Sequence, residues 1–319
     1  MKKYTQLSQD ERYTIADLSR RRYSDSQIAK AIGRHRSTIG RERKRNPNTH
    51  DGVYRAQVAH SYATARRRRN RRGTHFSKTQ WSLVAYYIQK KWSPEQIADH
   101  LKNHTSFSIS HETIYQYILR DKKRGGTLYT HLRIMPKQRR KRYNSKDSRG
   151  VLPGKRHIST RPAEVETRKV AGHWEGDTVI GSDRFHCILT LVERKSGFVV
   201  IKKLASRTAS LVTAATLEVL KKHGRRFKTL TFDNGTEFHD YASIEADHPV
   251  TCYFATPYHS WERGTNENTN GLIRQYLKKG HTMEGVTQAD CDYIAHELNT
   301  RPRKRHGYKT PRKLYYSKV

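Results

Sequence analysis

The sequence predicts an α/β protein in which two small all-α units precede a larger domain built on a mixed β-sheet. Two observations indicate this organisation. Capped helices separated by a glycine or a loop occur twice in the first 125 residues, and short β-rich runs combine with helical patterns from about residue 170 onward. Strands and helices in that combination are typical of a sheet with helices on its faces.

Charged residues are also distributed unevenly between the front and back halves of the chain. The 319 residues include 64 Lys and Arg against 29 Asp and Glu, a formal net charge of +35. Residues 1–170 hold 41 of the basic and 13 of the acidic residues, whereas residues 171–319 hold 23 and 16. Such a charge repels itself unless an acidic partner is bound, and duplex DNA carries one negative charge per ~1.7 Å of its axis. We therefore expect double-stranded DNA as a partner, bound mainly by the front half.

The sequence also argues against several classes of protein. Cys187, Cys252 and Cys291 are far apart and form no CxxC pair, so we expect neither a disulfide framework nor a structural zinc site. No apolar run approaches the ~20 residues of a membrane span, and the N-terminus lacks the apolar stretch of a signal peptide. A cationic membrane-surface protein would need a large apolar face, which the sequence lacks. We expect a cytoplasmic protein without a membrane partner.

The first predicted unit, residues 1–50, has the pattern of a helix-turn-helix. Capping boxes at residues 8–11 and 24–27 begin two helices, because a Ser oxygen accepts from the backbone while a Glu or Gln side chain reaches back. Gly33 allows a tight turn, and a third helix begins near residues 35–37. Two short helices joined by a glycine turn, the second rich in Arg, are typical of a DNA-binding helix-turn-helix.

A second helix-turn-helix is predicted over residues 78–122. Residues 93–98 repeat the pattern of residues 24–29. After a longer turn, residues 102–110, residues 111–114 repeat the start of the Arg-rich helix, residues 36–39. Pro94 is compatible with a first helical position, where its missing N–H costs little.

Two basic linkers are predicted, at residues 51–77 and 123–165. The first contains the run Arg66–Arg69. Such a stretch is either a solvated, partly disordered connection or a segment that follows DNA phosphates, and the sequence leaves both open.

The helix-turn-helix units supply the candidate DNA contacts. Arg side chains bind phosphates and base edges, whereas Ser and Thr at a helix start either contact DNA or simply cap the helix, an alternative that stays open. The candidates are Arg34, Arg36, Ser37, Thr38, Arg41 and Arg45 in the first unit and His111 and Thr113 in the second.

The larger domain is predicted over residues 166–319. Its order of three strands, a helix, two further strands and a helix is RNase H-like, with a mixed sheet covered by helices. The predicted strands cover residues 173–181, 186–193, 197–204, 228–232 and 251–255, and the predicted helices cover 208–223 and 265–278.

Three carboxylates are placed where a sheet of this kind collects ligands. Asp177 lies in the first strand, Asp233 ends the fourth, and Glu267 opens a helix. Phosphodiester cleavage needs charge stabilisation at the attacking and leaving oxygens, which two divalent ions about 3.5–4 Å apart supply, and Mg²⁺ prefers oxygen ligands. Arg274 lies seven residues after Glu267, so it shares that helix face and is placed to reach a phosphate.

Each of these residues has an alternative interpretation. Asp-Asn-Gly at Asp233 is a common turn, and Glu267 can simply favour a helix N-terminus. Asp177 can be a strand-end surface charge, and Arg274 can be a solvated side chain. The order and setting of the three acids is a stronger signal than any one of them. The rival carboxylates are Glu175 for the first position and Glu237 and Glu262 for the later ones.

Three segments carry a resemblance to a known family: HWEGDTVIG at 173–181, TFDNGTEF at 231–238 and WERGTNENTNGLIRQYLKKG at 261–280. With them, the chain resembles the DDE transposases of the insertion-sequence-30 family, whose catalytic domain is RNase H-like. The 33 residues between Asp233 and Glu267, and the basic residue seven positions later, fit that family's pattern. The N-terminal segments also resemble its first helix-turn-helix.

The resemblance implies that Asp177, Asp233 and Glu267 are metal ligands and catalytic residues. It also implies Mg²⁺ as the cofactor, with two ions in the site and Mn²⁺ as a substitute. It implies a bacterial, nucleoid-associated transposase that binds the terminal inverted repeats of its insertion sequence and cleaves and joins DNA strands at a target. A homo-oligomer on DNA, a joined-end or circular DNA intermediate and no small-molecule substrate are also implied.

Three other functions stay open at this point. A Tyr or Ser recombinase would need a covalent nucleophile; 19 Tyr residues are available, but none has an obvious nucleophile setting. A non-catalytic DNA-binding regulator would need only the first 125 residues and would leave the ordered acids unexplained. A general packaging protein for RNA or DNA would not need the repeated helix-turn-helix.

Overall fold

A computed structural model of the chain describes residues 5–71, 76–133, 154–257 and 259–317. It divides the chain into two units, Met1–Lys78 and Thr79–Val319, each of which is described by itself. The finer division into five segments stays a prediction, and residues 134–153 of the predicted second linker lie outside the described residues.

The first unit begins with the three predicted helices. Ser8 and Ser24 each complete a capping box, as expected, and their helices pack around Ile15, Ile28 and Ile39, which are fully buried. Because these three isoleucines come from three different helices, they hold the trihelical unit together. The helices are α1 (Gln9–Arg20), α2 (Asp25–Ala31) and α3 (Arg36–Arg45).

A fourth helix, α4 (Ala56–Arg71), occupies most of the predicted linker at residues 51–77. Its Ala56 and Ala59 are buried, and α4 packs against α1. Ala and Arg both have high helix propensity, and the small alanines let the two helices approach closely. Over these residues the chain is therefore a packed helix, which differs from the expected flexible connection.

The second unit begins with three helices, α5 (Lys78–Gln89), α6 (Pro94–His104) and α7 (His111–Lys123). Ser93 completes a capping box, and Pro94 takes the first helical position. The turn between α6 and α7 begins after His104, so it is shorter than the expected residues 102–110. The buried residues between these helices are Val84, Ile88, Ile97, Leu101, Ile114 and Ile118.

A five-stranded mixed sheet forms the rest of the second unit, in the order β3-β2-β1-β4-β5. The first three strands are antiparallel, whereas β4 and β5 run parallel to β1. This is the RNase H-like fold predicted from the sequence. The strands are β1 (His173–Ile180), β2 (Cys187–Glu193), β3 (Val199–Leu204), β4 (Thr229–Phe232) and β5 (Thr251–Phe254).

Helices cover both faces of the sheet. One core lies against α9 and contains Trp174, and the other lies against the later helices and contains Val179. Because side chains alternate along a strand, the odd-numbered residues of β1 face the second core. The helices are α8 (Glu164–Thr167), α9 (Ala209–His223), α10 (Tyr241–Asp247), α11 (Gly264–Ile273), α12 (Gln288–Thr300) and α13 (Pro311–Tyr316).

Helix α11 ends earlier than the predicted residues 265–278. Gln275 N donates to Leu272 O at 3.0 Å and Tyr276 N donates to Ile273 O at 2.9 Å. Such bonds between residues three apart tighten the last turn and end the helix.

Among the described residues, no helix is both long and apolar enough to cross a bilayer. Cys187, Cys252 and Cys291 are free and buried, and burial raises the pKa of Cys187 and Cys291 to about 11.

Candidate active site

Asp177 and Asp233 lie at the same level of two neighbouring strands. Strands β1 and β4 are parallel, with Glu175 opposite Thr231. Asp177 and Asp233 each lie two residues beyond that pair, where β4 has just ended at Phe232. The parallel register therefore brings the first two predicted carboxylates to one edge.

Arg263 connects the two aspartates. Its Nη1 lies 3.6 Å from Oδ1 of Asp177, and its Nη2 lies 3.4 Å from Oδ2 of Asp233. The side chain of Arg263 is only 11% exposed, and its Nη1 also donates to Gly176 O at 3.0 Å. One guanidinium thus lies against both carboxylates.

Burial dominates the protonation of Asp177. It raises the pKa of Asp177 to about 6; the Arg263 cation lowers this pKa and the Asp233 carboxylate raises it further. A buried carboxylate beside another favours a nearby cation, because the positive charge offsets both effects.

Hydrogen bonds fix the orientation of both aspartates. Thr178 N donates to Oδ1 of Asp177 at 2.9 Å, and Asn270 Nδ2 donates to its Oδ2 at 2.9 Å. Gly235 N donates to Oδ1 of Asp233 at 2.9 Å, and a Cβ at residue 235 would overlap the carboxylate of Glu237 and also crowd Oδ1 of Asp233. The two side chains therefore have defined directions.

Glu267 is exposed on α11, one turn before Asn270. Residues 267, 270 and 274 share a helix face, because they are spaced by three and four. Along this face Asn270 contacts Asp177, and Arg274 Nη2 donates to Ile180 O at 3.0 Å. The face that carries Glu267 therefore runs along β1.

The described residues contain no group of three or more His, Cys, Asp or Glu side chains arranged to hold a metal ion. The structure brings Asp177 and Asp233 together around Arg263, but it does not add the carboxylate of Glu267 to them. Arg274 is half-buried and is held on the last residue of β1.

Glu175, the rival of Asp177, has structural partners. It is fully buried, its Oε1 accepts from Arg194 Nη1 at 2.7 Å, and its Oε2 accepts from Asn266 N at 2.8 Å. These bonds tie the start of α11 to β1, so Glu175 positions the helix that carries Glu267.

The other rivals also have partners within the fold. Glu237 is 4% exposed, and its Oε1 accepts from Thr178 Oγ1 at 2.8 Å on the opposite face of β1. Glu262 accepts from Thr256 N at 2.7 Å and from Thr256 Oγ1 at 2.9 Å, which fixes the turn after β5.

Sequence reasoning missed Arg263 and Asn270. They lie four residues before and three residues after Glu267. Helical spacing after Glu267 would have identified Asn270, since residues three apart are neighbours on a helix. Arg263 lies before α11 begins at Gly264, so this spacing does not indicate it.

In the first unit, α3 carries most of the predicted DNA contacts. His35 is the N-cap of α3, and its Nδ1 accepts from Ser37 N at 3.2 Å and lies 2.8 Å from Ser37 Oγ, so Ser37 takes part in the cap. Ser37 Oγ also accepts from Arg41 Nη2 at 2.9 Å. Arg34 lies before α3 and is paired with Glu11 at 2.7 Å. The exposed candidates are Arg36, Ser37, Arg41 and Arg45.

A groove of about 280 Å³ lies between α3 and α4. Its lining includes Arg41 and Arg45 from α3 and Arg66 and Arg67 from α4. Arg66 and Arg67 of the predicted linker therefore extend the basic surface of the first helix-turn-helix.

In the second helix-turn-helix, His111 is exposed at the first position of α7. Thr113 is half-buried, and its Oγ1 lies 2.8 Å from Oγ of Ser110, the N-cap. His111 is thus placed at the surface, whereas Thr113 takes part in the cap.

Comparison with known families supports both parts of this architecture. Residues 167–260 match the integrase core domain, and residues 3–46 match a helix-turn-helix domain.

The chain is also similar over most of its length to transposases. It is 38% identical to the transposase for insertion sequence element IS4351 of Bacteroides fragilis, covering 97% of this chain and 95% of the relative. It is 36% identical to the transposase for IS1086 of Cupriavidus metallidurans, covering 97% and 94%. Identity to transposase InsI for IS30A of Escherichia coli is 35%, covering 90% and 77%.

Solved structures similar to part of the chain include two retroviral catalytic cores. The catalytic core domain of BIV integrase is 22% identical, with a TM-score of 0.38, covering 46% of this chain and 94% of that one. The HTLV-2 integrase catalytic core domain in complex with magnesium is 18% identical, with a TM-score of 0.36, covering 46% and 97%.

Proposed function

This chain belongs to the insertion-sequence-30 family of transposases, and from that premise we propose that Asp177, Asp233 and Glu267 form its site for DNA strand cleavage and transfer. The chain is a polynucleotidyl transferase that binds DNA, including the terminal inverted repeats of its element, and catalyses transposition. The observation that carries the proposal is the meeting of Asp177 and Asp233 at one guanidinium.

The donor set fits a divalent ion of the Mg²⁺ type. Asp177 and Asp233 present carboxylate oxygens at one edge, and a cation, Arg263, already lies against both. Mg²⁺ prefers oxygen ligands of this kind and keeps several waters, so few protein ligands are required. We propose that Glu267, exposed on the helix face that runs along β1, completes the set by a change of its side-chain rotamer.

We propose Mg²⁺ as the cofactor, with two ions in the complete site and Mn²⁺ as a substitute. When bound, the ions stabilise negative charge on the attacking and leaving oxygens of a phosphodiester.

The chain's own residues orient the reacting groups. Asn270 and the N–H of Thr178 hold the Asp177 carboxylate, and the N–H of Gly235 holds Asp233. Arg274 lies on the same helix face as Glu267, where its guanidinium can bind a phosphate of the strand.

Two displacements are proposed at this site. Water attacks a phosphodiester at the element end, its proton passes to solvent, and the P–O bond that breaks leaves a 3′-hydroxyl. That hydroxyl then attacks a target phosphodiester and displaces its 3′ oxygen. No covalent bond between protein and DNA forms, so no Tyr or Ser nucleophile is required.

DNA recognition is proposed to begin at α3. Arg36, Ser37, Thr38, Arg41 and Arg45 lie on or beside its exposed surface, and the arginines of α4 extend it. Arg34 and Thr113 stay weaker candidates, because both have partners within the fold, whereas His111 is exposed and stays a candidate in the second helix-turn-helix. We also propose a homo-oligomer on DNA, since two element ends must be joined to one target. The nucleoid association stays a prediction.

The test uses labelled duplex carrying the element's terminal inverted repeat, with Mg²⁺ or with EDTA. Three variants, Asp177→Asn, Asp233→Asn and Glu267→Gln, should each abolish cleavage and strand transfer while they keep binding to the end. The matched controls Asp247→Asn and Glu284→Gln change exposed carboxylates and should keep wild-type cleavage.

Any of three results would overturn the proposal. Metal-dependent cleavage that survives all three substitutions would place the chemistry elsewhere. A trapped protein–DNA adduct in the wild type would indicate a covalent nucleophile. Tight end binding without cleavage under any metal condition would instead favour the DNA-binding regulator.

A further inference from the structure

A cleft of about 300 Å³ lies between the second helix-turn-helix and the catalytic fold, inside the second unit. Its walls are joined by direct contacts: Lys90 Nζ pairs with Glu297 at 2.7 Å, and Gln96 Nε2 donates to Pro302 O at 2.7 Å. The helix-turn-helix is therefore seated on the catalytic fold, and the cleft is a built feature of that junction.

The cleft is lined by four cationic side chains, Lys91, Arg133, Arg301 and Arg303. None of the residues that line it in the described part of the chain is acidic. Four positive charges without a lining carboxylate repel one another, and such an arrangement is stabilised when an anion binds between them.

Arg301 is the most buried of the four. It is 2% exposed, and its partners are neutral: Nη1 donates to Gln275 Oε1 at 2.9 Å and Nη2 donates to Tyr276 OH at 2.8 Å. Its Nε is buried and hydrogen-bonds to no described residue. The Glu297 carboxylate favours the charged form of Arg301, but among the described residues no carboxylate hydrogen-bonds to this guanidinium. A buried guanidinium in this state is stabilised when an anion binds to it.

Burial and the neighbouring cations both disfavour the charged forms of this cluster. Burial, followed by the charges of Arg301 and Arg305, lowers the pKa of Arg303 to about 9. Burial, followed by Arg301 and Lys278, lowers the pKa of Lys91.

The cleft and the candidate active site share α11. Asn268 and Gln275 line the cleft, and Arg133 Nη1 donates to Oδ1 of Asn268 at 3.0 Å. Glu267 and Asn270 lie on the neighbouring face of the helix, which runs along β1. A DNA strand bound in the cleft would therefore contact the face of α11 next to the one that lies along the carboxylates.

We propose that this cleft binds the phosphodiester backbone of a DNA strand and holds it next to the active site. The proposal rests on the transposase activity and adds a binding site to it. The ligand is a backbone phosphate, and the source is either the element's own end or the target duplex. Arg301 and Arg303 form the floor of the site, and Lys91 and Arg133 form its accessible rim.

The test measures DNA binding by the full chain with both rim cations removed, in the double variant Lys91→Gln/Arg133→Gln. The rim is chosen because Arg133 is exposed and neither residue is deeply buried, so the variant should fold. Arg312→Gln, an exposed arginine on α13, is the matched control. Affinity is measured at several salt concentrations for a duplex with the terminal inverted repeat and for a duplex of unrelated sequence.

The double variant should bind at least one duplex about tenfold more weakly, and its salt dependence should fall. Each lost phosphate contact lowers the slope of log K against log salt by about 0.9, so two contacts lower it by about 1–2. Loss with the repeat duplex alone identifies the element end, and loss with both identifies general backbone binding. Loss with the unrelated duplex alone identifies the target.

Thermal denaturation separates binding from a structural role. Removing rim cations relieves repulsion, so the variant without DNA should melt at the wild-type temperature or above it. The single variant Arg133→Lys keeps Lys91 and keeps a positive charge at residue 133. It should therefore retain most of the wild-type affinity for DNA.

The cleft proposal would be overturned if the double variant bound both duplexes with wild-type affinity and wild-type salt dependence. It would also be overturned if Arg312→Gln lost as much affinity as the double variant. These outcomes are distinct from failure of the proposed active site. A wild-type chain that cleaves end duplex while the double variant binds normally would contradict the cleft alone.

Discussion

Nη2 of Arg263 lies 3.4 Å from Oδ2 of Asp233, and the same guanidinium lies 3.6 Å from Asp177. Arg263 thus places a fixed positive charge at the edge where the proposed function places a divalent cation. Two cations cannot share one position between two carboxylates, so Arg263 must move aside when the metal binds.

Replacing this arginine should therefore strengthen metal binding. We expect Arg263→Gln to lower the Kd for Mn²⁺ roughly five- to tenfold, about 1–1.4 kcal/mol, because one competing ion pair is removed. The measurement is the rise in Tm with Mn²⁺ concentration in the absence of DNA. Arg312→Gln should bind Mn²⁺ like the wild type. Weaker Mn²⁺ binding in Arg263→Gln would mean that the arginine supports the metal site.

Glu175 and Asp177 should respond differently to loss of charge. Glu175→Gln removes the buried carboxylate partner of Arg194 and leaves it paired only with the exposed Glu166, which should cost about 3 kcal/mol and lower Tm by roughly 6–12 °C. Asp177→Asn should not lower Tm, because burial already disfavours the charged form and raises the pKa of Asp177. Thermal denaturation of both variants without metal checks this. A stable Glu175→Gln chain that no longer cleaves DNA would instead make Glu175 catalytic.

The turn after β1 should lose stability in acid. Asp183 accepts from the N–H groups of Phe185, His186 and Met283 and from Thr282 Oγ1, and these bonds, led by that of Thr282, lower the pKa of Asp183. A lowered folded-state pKa stabilises the fold above the unfolded value of ~3.9, and this stabilisation is lost as pH falls through the folded pKa.

Asp183→Asn should therefore melt below the wild type at pH 7, and the difference should shrink as pH falls below about 4. Asp247→Asn, an exposed change, should follow the wild type at every pH. A difference in Tm that is constant with pH would show that the charge of Asp183 is not responsible.

Replacing Arg36 should lower DNA affinity, whereas replacing Arg34 should lower stability. Arg36 is exposed at the first position of α3, so Arg36→Ala should weaken binding to the element end by about 1–3 kcal/mol. Arg34 is paired with Glu11 and donates to Thr5 O, so Arg34→Ala should mainly lower Tm. Binding titrations and melting curves of both variants test this. Equal effects on affinity would show that Arg34 also contacts DNA.

The sequence predicted the elements whose signals are local. Ser8 and Ser24 complete the expected capping boxes, and Ser93, which was predicted only to repeat the Ser24 pattern, completes a third. The pattern and the hydrogen bonds of each lie within four residues. The five strands occur where β-rich runs predicted them, since buried strands need continuous apolar residues. The family resemblance is likewise confirmed by relatives at 35–38% identity.

Features that depend on tertiary contacts were not predictable in the same way. Helix α4 was expected to be a linker, because its alanines show their role only when they pack against α1. The buried ion pair of Glu175 joins residues 19 positions apart, so its structural role was invisible in the strand pattern. The position of Arg263 between the two aspartates likewise depends on β1 and β4 being adjacent strands, which no local sequence pattern indicates.

Asp177, Asp233 and Glu267 are proposed to bind one metal centre. Replacing Mg²⁺ with Fe²⁺ and mapping the hydroxyl-radical cuts that the bound iron makes in the protein backbone examines this assignment residue by residue. We expect metal-dependent cuts next to all three residues, lost in Asp233→Asn and suppressed by excess Mg²⁺. Cuts near Asp177 and Asp233 without any near Glu267, or cuts at other segments, would contradict it.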